Sequence, residues 1–174
     1  MDFEELNSVT IYRGQVFAVR QEQVRLPNGR TVQLDIVAHP GAVVLVPVDE
    51  ENTLWFVKQY RHAAGKVMLE LPAGTIEPGE DLDVCAHREL REEIGMAAES
   101  MQKIGEFYIA PGYSTEFLTI YLATHLHPDP LPGDEDEFIQ VERIPAAQAL
   151  VMAESGQFRD AKTLAALILA RHYL

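Results

Sequence analysis

The sequence predicts an α/β fold, in which an α/β/α layered domain follows antiparallel strands at the N-terminus. Segments rich in β-branched and aromatic residues dominate the first third of the chain and return after its middle. One amphipathic helical segment lies between these groups of strands, and two more close the chain. The helical segments are predicted at residues 80–94, 144–155 and 160–171.

The N-terminal strands are predicted over residues 9–38. The stretch VTIYRGQVFAVRQEQVRL alternates partly between apolar and polar residues, as a half-buried strand does. Asn28-Gly29 then predicts a two-residue hairpin turn, because both residues tolerate positive φ.

Two further strands are predicted at residues 41–48 and 53–61, separated by the polar turn DEEN. The first, GAVVLVPV, is a nearly continuous apolar run. Such a run is typical of a strand that is buried on both faces.

The first helix is predicted to begin after Gly79, where Glu80, Asp81 and Asp83 favour the positive helix N-terminus. Gly95 is a natural stop, since glycine readily adopts the left-handed conformation that ends helices. Ala86, Leu90 and Ile94 recur every four residues, and this stripe is expected to pack on a sheet.

The adjacent face of this helix carries Glu89, Glu92 and Glu93, which are expected to face a cleft. Like charges four residues apart destabilise a helix by about 0.2–0.5 kcal/mol per pair. A bound cation would remove this repulsion, so the face indicates a cation site.

The C-terminal part is predicted to contain strands, a long acidic loop and the two last helices. Asp160 is expected to cap the final helix. The strands are predicted at 103–110, 116–126 and 138–144, and the loop at 127–137.

The charge balance restricts the class of partner. The 174 residues contain 14 Lys and Arg and 27 Asp and Glu, giving a formal net charge of −13. This charge disfavours nucleic-acid polymers, which bind to basic patches. Phosphorylated small molecules would also be repelled unless divalent cations intervene. A phosphate-processing protein of this charge is therefore expected to depend on a metal.

The remaining composition favours a cytoplasmic protein that does not bind a membrane. The apolar runs are too short to span a bilayer, and the start MDFEEL does not resemble a signal peptide. Cys85 is the only cysteine, so no disulfide framework is possible, and it is expected to pack rather than react.

A longer motif surrounds the acidic helix face. Gly74 is followed after five residues by Glu80, and after seven more by Arg88-Glu89, an aliphatic residue, any residue, Glu92-Glu93, any residue, Gly95 and Met96. This pattern resembles the complete Nudix box. The resemblance implies an α/β/α sandwich with a mixed sheet and hydrolysis of nucleoside diphosphates linked to another group.

The wider sequence is similar to the ADP-ribose pyrophosphatase branch of that family. QYR at 59–61, LELPAG at 69–74, DEDEFI at 134–139 and Pro111, sixteen positions beyond Gly95, carry this similarity. It implies conversion of ADP-ribose to AMP and ribose 5-phosphate. Hydrolysis of another nucleoside diphosphate sugar, such as GDP-mannose, or of a dinucleotide is the enzymatic alternative. A ligand-binding regulator without catalysis is disfavoured by the complete box.

The family resemblance assigns metal ligation to Glu89, Glu93 and the backbone carbonyl of Ala73, with Glu137 as an additional ligand. Mg²⁺ is the expected ion, since it prefers oxygen ligands, and Mn²⁺ is a possible substitute. Glu92 would bind a further metal or hold water.

The general base has several candidates. Alignment of DEDEFI with the branch favours Glu135, on a loop that could close over substrate. Glu92 and Glu93 compete for this role, and Glu116 is a third acid expected to face the cleft.

The same resemblance implies diphosphate binding by Arg61 and a contact of Glu70 on the nucleoside side. Gln15, Val16 and Phe17 lie in the region that reads the base in this branch. The remaining box positions are expected to be structural: Arg88 and Glu80 as an ion pair, and Gly74, Gly79 and Gly95 as turns and a helix stop.

Branch members resembling this chain are homodimers whose N-terminal strands cross to the partner. The resemblance thus implies two parts: residues 1–40, for dimerisation and the nucleoside pocket, and residues 41–174, the hydrolase domain.

Overall fold

The computed structural model describes residues 2–133 and 138–174 of the chain. These residues form strands, three α-helices and one short 3-10 turn at His62–Ala64. The strands are β1 (Glu4–Arg13), β2 (Ala18–Arg25), β3 (Thr31–Ala38), β4 (Ala42–Pro47), β5 (Thr53–Arg61), β6 (Lys66–Glu70), β7 (Ala73–Thr75), β8 (Met96–Tyr108), β9 (Phe117–Pro128) and β10 (Gln140–Pro145). The helices are α1 (Leu82–Ile94), α2 (Ala146–Glu154) and α3 (Ala161–Ala170).

The chain divides into two compact units. The first contains the residues up to Gly41 together with Tyr108–Phe117, and the second contains Ala42–Phe107 and Leu118–Leu174. None of the helices in the described part of the chain is long and apolar enough to cross a membrane.

The first unit is built on the antiparallel sheet β1-β2-β3. β1 begins at Glu4, five residues before the predicted start. Its first residues, EELNS, lack a strand pattern because every position of β1 is exposed. Pairing with β2 extends the strand instead, and Glu4 lies opposite Arg25 with a 2.6 Å ion pair.

The predicted two-residue hairpin turn between β2 and β3 is wrong. The loop has three residues, Pro27 to Gly29, closed by hydrogen bonds from Gly29 N–H to Leu26 O and from Leu26 N–H to Arg30 O. A two-residue loop would place Pro27 in a ladder position, where it has no N–H to donate. Gly29 takes the left-handed conformation that the longer loop requires, with φ at 81°.

The second unit contains a mixed sheet in the order β7-β4-β9-β8, with β4 parallel to β9 and antiparallel to β7. All six residues of β4 are buried, as predicted for a strand covered on both faces. Helices α1 and α3 both contact β4. Val43 and Leu45 join Leu90 of α1 in one apolar cluster, which confirms the predicted layered α/β fold.

A second sheet in this unit has the order β10-β5-β6. Strands β6 and β7, which flank the Leu71-Pro72 bend in LELPAG, were not predicted from the sequence. Both strands are short, so they carry too few residues for a periodic pattern. β7 nevertheless places Ala73 and Gly74 directly beside α1, and this position builds the candidate site.

Candidate active site

The ends of α1 are set by two local devices. Asp81 is the N-cap and accepts a 2.9 Å hydrogen bond from the N–H of Asp83. Gly95 ends the helix in the left-handed conformation, with φ at 71° and its N–H donating to Leu90 O. The predicted helix stop is therefore confirmed. The caps fix the phase of α1, and with it the face on which each glutamate lies.

Two of the three glutamates predicted to face a cleft are instead buried. Glu89 is 8 % exposed and Glu93 is 6 % exposed, whereas Glu92 is half-buried. The difference arises because α1 lies against β7 on this side. Burial of carboxylates is unfavourable unless hydrogen bonds or cations compensate the charge. Glu93 Oε2 accepts one such hydrogen bond, from Ala73 N–H at 2.9 Å.

Gly74 provides the space in which the Glu89 carboxyl group lies. A Cβ atom on Gly74 would be 1.7 Å from Glu89 Cδ and 1.8 Å from Glu89 Oε1. Gly74 was predicted to form a turn, but the residue lies inside β7 and its φ is not positive. Glycine is required here for close approach of a side chain, not for a special backbone conformation.

Arg88 is the central cation of the α1 face. Its Nε and Nη2 atoms donate to the two oxygens of Glu80 at 2.8 and 2.9 Å. Its Nη1 atom donates to Glu89 at 2.6 Å and to Glu92 at 2.8 Å. The pair of Arg88 with Glu80 was predicted, but the contacts with Glu89 and Glu92 were not. The spacing of four residues along the helix was a signal for the Glu92 contact, whereas neighbours in sequence such as Arg88 and Glu89 do not normally face each other on a helix.

The Arg88 contacts have clear electrostatic consequences. Its hydrogen bonds lower the pKa of the Glu80 carboxyl group to about 2. The pKa of Arg88 is raised, chiefly by the hydrogen bonds to Glu80 and also by Glu92 and Glu89. Arg88 is a single charge among several carboxylates, so it neutralises their repulsion only in part.

A second ion-pair network begins at the end of β5. Arg61 donates to Glu70 through Nε at 3.1 Å and Nη2 at 2.8 Å, in a forked pair. Lys162 of α3 contacts the same Glu70 carboxylate. Burial raises the pKa of Glu70, but the contacts with Arg61 and Lys162 outweigh it and keep the value below the ordinary range.

The two members of this pair differ in exposure. Glu70 is 2 % exposed, whereas 40 % of the Arg61 side chain is accessible. Only the arginine therefore presents a substantial charged surface to solvent. Lys162 was not predicted as a site residue, because it belongs to no motif and lies 92 residues from its partner.

Cys85 lies on the packed side of α1 and is fully buried. Burial, with the hydrogen bond to Glu80, raises the pKa of its thiol to about 12. A thiolate nucleophile would need the opposite shift. The structure therefore agrees with a packing role.

Several predicted site residues lie in the first unit. Gln15, Val16 and Phe17 are exposed in the turn between β1 and β2, which is closed by a 2.9 Å hydrogen bond from Gly14 N–H to Phe17 O. Glu116 is half-buried, and Pro111 is exposed in a turn closed by Ser114 N–H and Ala110 O.

The predicted base Glu135 and ligand Glu137 lie outside the described residues. Within residues 2–133 and 138–174, no three His, Cys, Asp or Glu side chains are placed to hold a metal together. The described part of the predicted ligand set consists of two carboxylates, Glu89 and Glu93, and the backbone of Ala73.

Comparison with known proteins identifies relatives along most of the chain. Residues 38–167 match the family model described as the NUDIX domain. The chain is 39 % identical over 159 residues to an ADP-ribose pyrophosphatase from Bacillus subtilis (strain 168), covering 90 % of this chain and 86 % of that protein. It is 37 % identical over 169 residues to a methanol dehydrogenase activator from Bacillus methanolicus, covering 95 % and 91 %.

A solved structure extends the similarity to the fold. The crystal structure of an ADP compounds hydrolase superposes with a TM-score of 0.88 at 29 % identity. The alignment covers 100 % of this chain and 95 % of that one.

Proposed function

Because this chain belongs to the Nudix family of hydrolases, we propose that it catalyses the Mg²⁺-dependent hydrolysis of ADP-ribose to AMP and ribose 5-phosphate. The protein is a pyrophosphohydrolase of the ADP-ribose pyrophosphatase type. The observation that carries the proposal is the pair of buried carboxylates, Glu89 and Glu93, held beside the backbone of Ala73 and Gly74.

The donors at this position fit a hard divalent cation. Carboxylate and carbonyl oxygens are the ligands that Mg²⁺ prefers, and Mg²⁺ commonly uses one or two carboxylates together with substrate phosphates. The proposed ligands are Glu89, Glu93 and the Ala73 carbonyl, with Glu137 as a further ligand. Buried carboxylates need compensating charge, and a divalent cation would add to that which Arg88 supplies to Glu89. Mn²⁺ would suit the same oxygens. When bound, such an ion neutralises the diphosphate and favours deprotonation of water.

The residues of the chain have distinct proposed tasks. Arg88 and Glu80 hold the segment before α1 against the helix through their forked ion pair. Glu135 accepts the proton of the water that attacks phosphorus, with Glu92, Glu93 and Glu116 as alternatives. The bond from phosphorus to the bridging oxygen then breaks, and that oxygen leaves with the second product.

Arg61 is the proposed diphosphate contact. It stands at the end of β5, its forked pair with Glu70 fixes the guanidinium plane, and a large part of the side chain remains accessible. A fixed, accessible guanidinium is well suited to phosphate oxygens. Its neighbour Glu70, proposed from the sequence as a contact on the nucleoside side, would then act mainly through Arg61.

The nucleoside is proposed to bind at Gln15, Val16 and Phe17. Val16 and Phe17 are 55 % and 42 % exposed, so their apolar surfaces are available to a base. Gly95 and Pro111 would act structurally, by ending α1 and shaping the 110–114 turn.

A homodimer is proposed from the apolar surface of β1. Val9, Ile11 and Tyr12 are each more than half exposed on a strand with no buried position. Exposed apolar sheets of this kind usually mark an interface. Residues 1–40 would form a twofold interface burying more than ~2,000 Å² in total, as obligate dimers do. Residues 41–174 would form the hydrolase domain.

The dimer is tested by light scattering during gel filtration. The full chain is expected to elute as a dimer, and a chain lacking residues 1–38 as a monomer or aggregate that binds substrate poorly. A fully active monomer at micromolar concentration would contradict the interface.

The substrate is tested with a panel, since relatives of similar identity carry different functional names. ADP-ribose, GDP-mannose and a dinucleotide are compared by kcat/KM with Mg²⁺, and with EDTA as the metal-free control. ADP-ribose is expected to be the best substrate, with AMP and ribose 5-phosphate in equal amounts. A preference for GDP-mannose or the dinucleotide would show that the proposed substrate is wrong, while the proposed hydrolysis reaction would remain. Absence of turnover on every compound would favour a ligand-binding regulator.

A further inference from the structure

The segment from Glu70 to Ala73 is held at every residue. Leu71 N–H donates to Thr163 Oγ1 at 2.9 Å, and Leu45 N–H donates to Pro72 O at 2.8 Å. Ala73 N–H donates to Glu93 Oε2, and the carboxylate of Glu70 is paired. This short bend therefore joins the metal ligands proposed above to residues far away in the chain.

The distant contacts come from the first turn of α3. Asp160 is the N-cap, and its Oδ2 accepts from Thr163 N–H at 3.1 Å, from Thr163 Oγ1 at 2.6 Å and from Lys162 Nζ at 2.8 Å. Thr163 thus donates its hydroxyl hydrogen to Asp160 and accepts from Leu71 with the same oxygen. Lys162 bridges Asp160 and Glu70. We call Asp160, Lys162 and Thr163 the α3 clamp.

The contacts of the α3 clamp go beyond capping the N-terminus of a helix. An N-cap aspartate satisfies the first N–H groups of its helix without any help from a second segment. Here the fully buried Thr163 hydroxyl is also oriented so that its lone pair meets Leu71, which is itself fully buried. Lys162 is 15 % exposed, although lysine normally extends into solvent, and it points to the buried Glu70.

We infer that the α3 clamp positions the metal site by fixing the backbone of residues 70–73. This backbone carries the Ala73 carbonyl, which is a proposed ligand, and the Ala73 N–H, which donates to Glu93. Asp160, Lys162 and Thr163 are thus positioning residues that touch neither metal nor substrate. This inference rests on the Mg²⁺-dependent function proposed above. It predicts that the C-terminal helix sets metal affinity through a contact made 92 residues away in sequence.

The test replaces Thr163 with valine, which keeps the shape of the side chain and removes the hydroxyl. Binding of Mn²⁺ alone, without substrate, is measured from the electron paramagnetic resonance of the free ion. We expect Thr163→Val to weaken Mn²⁺ about 10-fold, the lower end of the loss seen when an outer partner of a metal ligand is removed. Thr163→Ser, which retains the hydroxyl, should bind Mn²⁺ as the unaltered protein does.

A matched control separates positioning from general loss of packing. Leu167 is also fully buried on α3, and Leu167→Val removes packing from the helix while keeping the Thr163 hydroxyl that accepts from Leu71 N–H. We expect this variant to lower Tm and leave Mn²⁺ affinity unchanged. In kinetics, Thr163→Val should raise the Mg²⁺ concentration needed for half-maximal rate and recover most of kcat at saturating Mg²⁺.

Lys162→Met is measured in parallel, because it loses the Glu70 contact while every backbone hydrogen bond of the bend remains. Like Thr163→Val, it should weaken the binding of Mn²⁺. It therefore tests the inference even if Thr163→Val fails to fold. Unchanged Mn²⁺ affinity in the folded variants would overturn the inference and leave the proposed function standing. If the unaltered protein bound neither Mn²⁺ nor Mg²⁺, both the inference and the proposed metal-dependent function would be refuted.

Discussion

The Gly74→Ala substitution tests the geometry of the candidate site most directly. The new methyl carbon would lie 1.7, 1.8 and 2.2 Å from Cδ, Oε1 and Oε2 of Glu89. Ordinary contacts of a Cβ atom begin near 3.4 Å, so the carboxylate must move by about 1.5–2 Å. The obstructing atoms are the end of a flexible side chain, which can rotate while α1 and β7 stay in place.

The expected result is a folded protein with a displaced ligand. A misplacement of 1 Å can reduce activity 10²-fold, so we expect kcat/KM to fall at least ~10²-fold. The Tm measured without metal should change little, because no apolar core contact is lost. Metal-dependent stabilisation, measured as the rise in Tm on adding Mg²⁺, should shrink or vanish.

Gly105→Ala is the matched control for this substitution. Its Cβ would also crowd the end of a side chain, Leu169 Cδ1 at 2.7 Å, but on β8, away from the proposed ligands. It should retain kcat/KM and the Mg²⁺ response. If Gly74→Ala behaves like this control, Glu89 does not occupy a position that the reaction needs.

Three further predictions concern charge. Glu93→Gln keeps the hydrogen bond from Ala73 possible but removes a proposed ligand charge, so kcat should fall at least ~10²-fold; near-normal turnover at saturating Mg²⁺ would exclude Glu93 from the mechanism. Glu135→Gln should lower kcat with little change in metal or substrate affinity, whereas Glu137→Gln should need more Mg²⁺; the same Mg²⁺ requirement in both variants would contradict this division. The lowered pKa of Glu80 means that its pair with Arg88 stabilises the fold above pH 4.5 and loses this effect as pH falls towards about 2. The Tm difference between the unaltered protein and Glu80→Gln should therefore narrow as the pH falls through that interval. A constant difference would refute the predicted loss of this ion pair.

Local patterns in the sequence were sufficient for much of the fold. The helix stop at Gly95 and the cap at Asp160 were predicted because capping depends on residues within one helical turn, whereas Asp81 was predicted only as one of the acids at the start of α1. The burial of β4 followed from its composition alone. The box spacing likewise placed Glu89 and Glu93 on one side of a single helix, since helix geometry is regular.

The wrong predictions in the N-terminal strands also involved local sequence, but there two preferences competed. Asn28-Gly29 favoured a two-residue loop, and Pro27 prevented it by lacking a backbone donor. The strand β1 extends to Glu4 because its partner supplies the hydrogen bonds, a contribution that the polar residues EELNS do not show by themselves.

Other features depended on tertiary contacts, for which a sequence pattern has no local signal. Glu89 is buried because β7 brings Gly74 against α1, and only the packed structure shows that a carboxylate fills the space of the missing side chain. Thr163 reaches Leu71 across 92 residues because α3 packs on β4 in the same unit. The sequence therefore indicated which residues are candidates for the chemistry, through the box spacing and the family resemblance that it carries. The order of the strands and the packing of the helices decided which of those charges are buried, paired or exposed, because burial and pairing depend on neighbours that are distant in the chain.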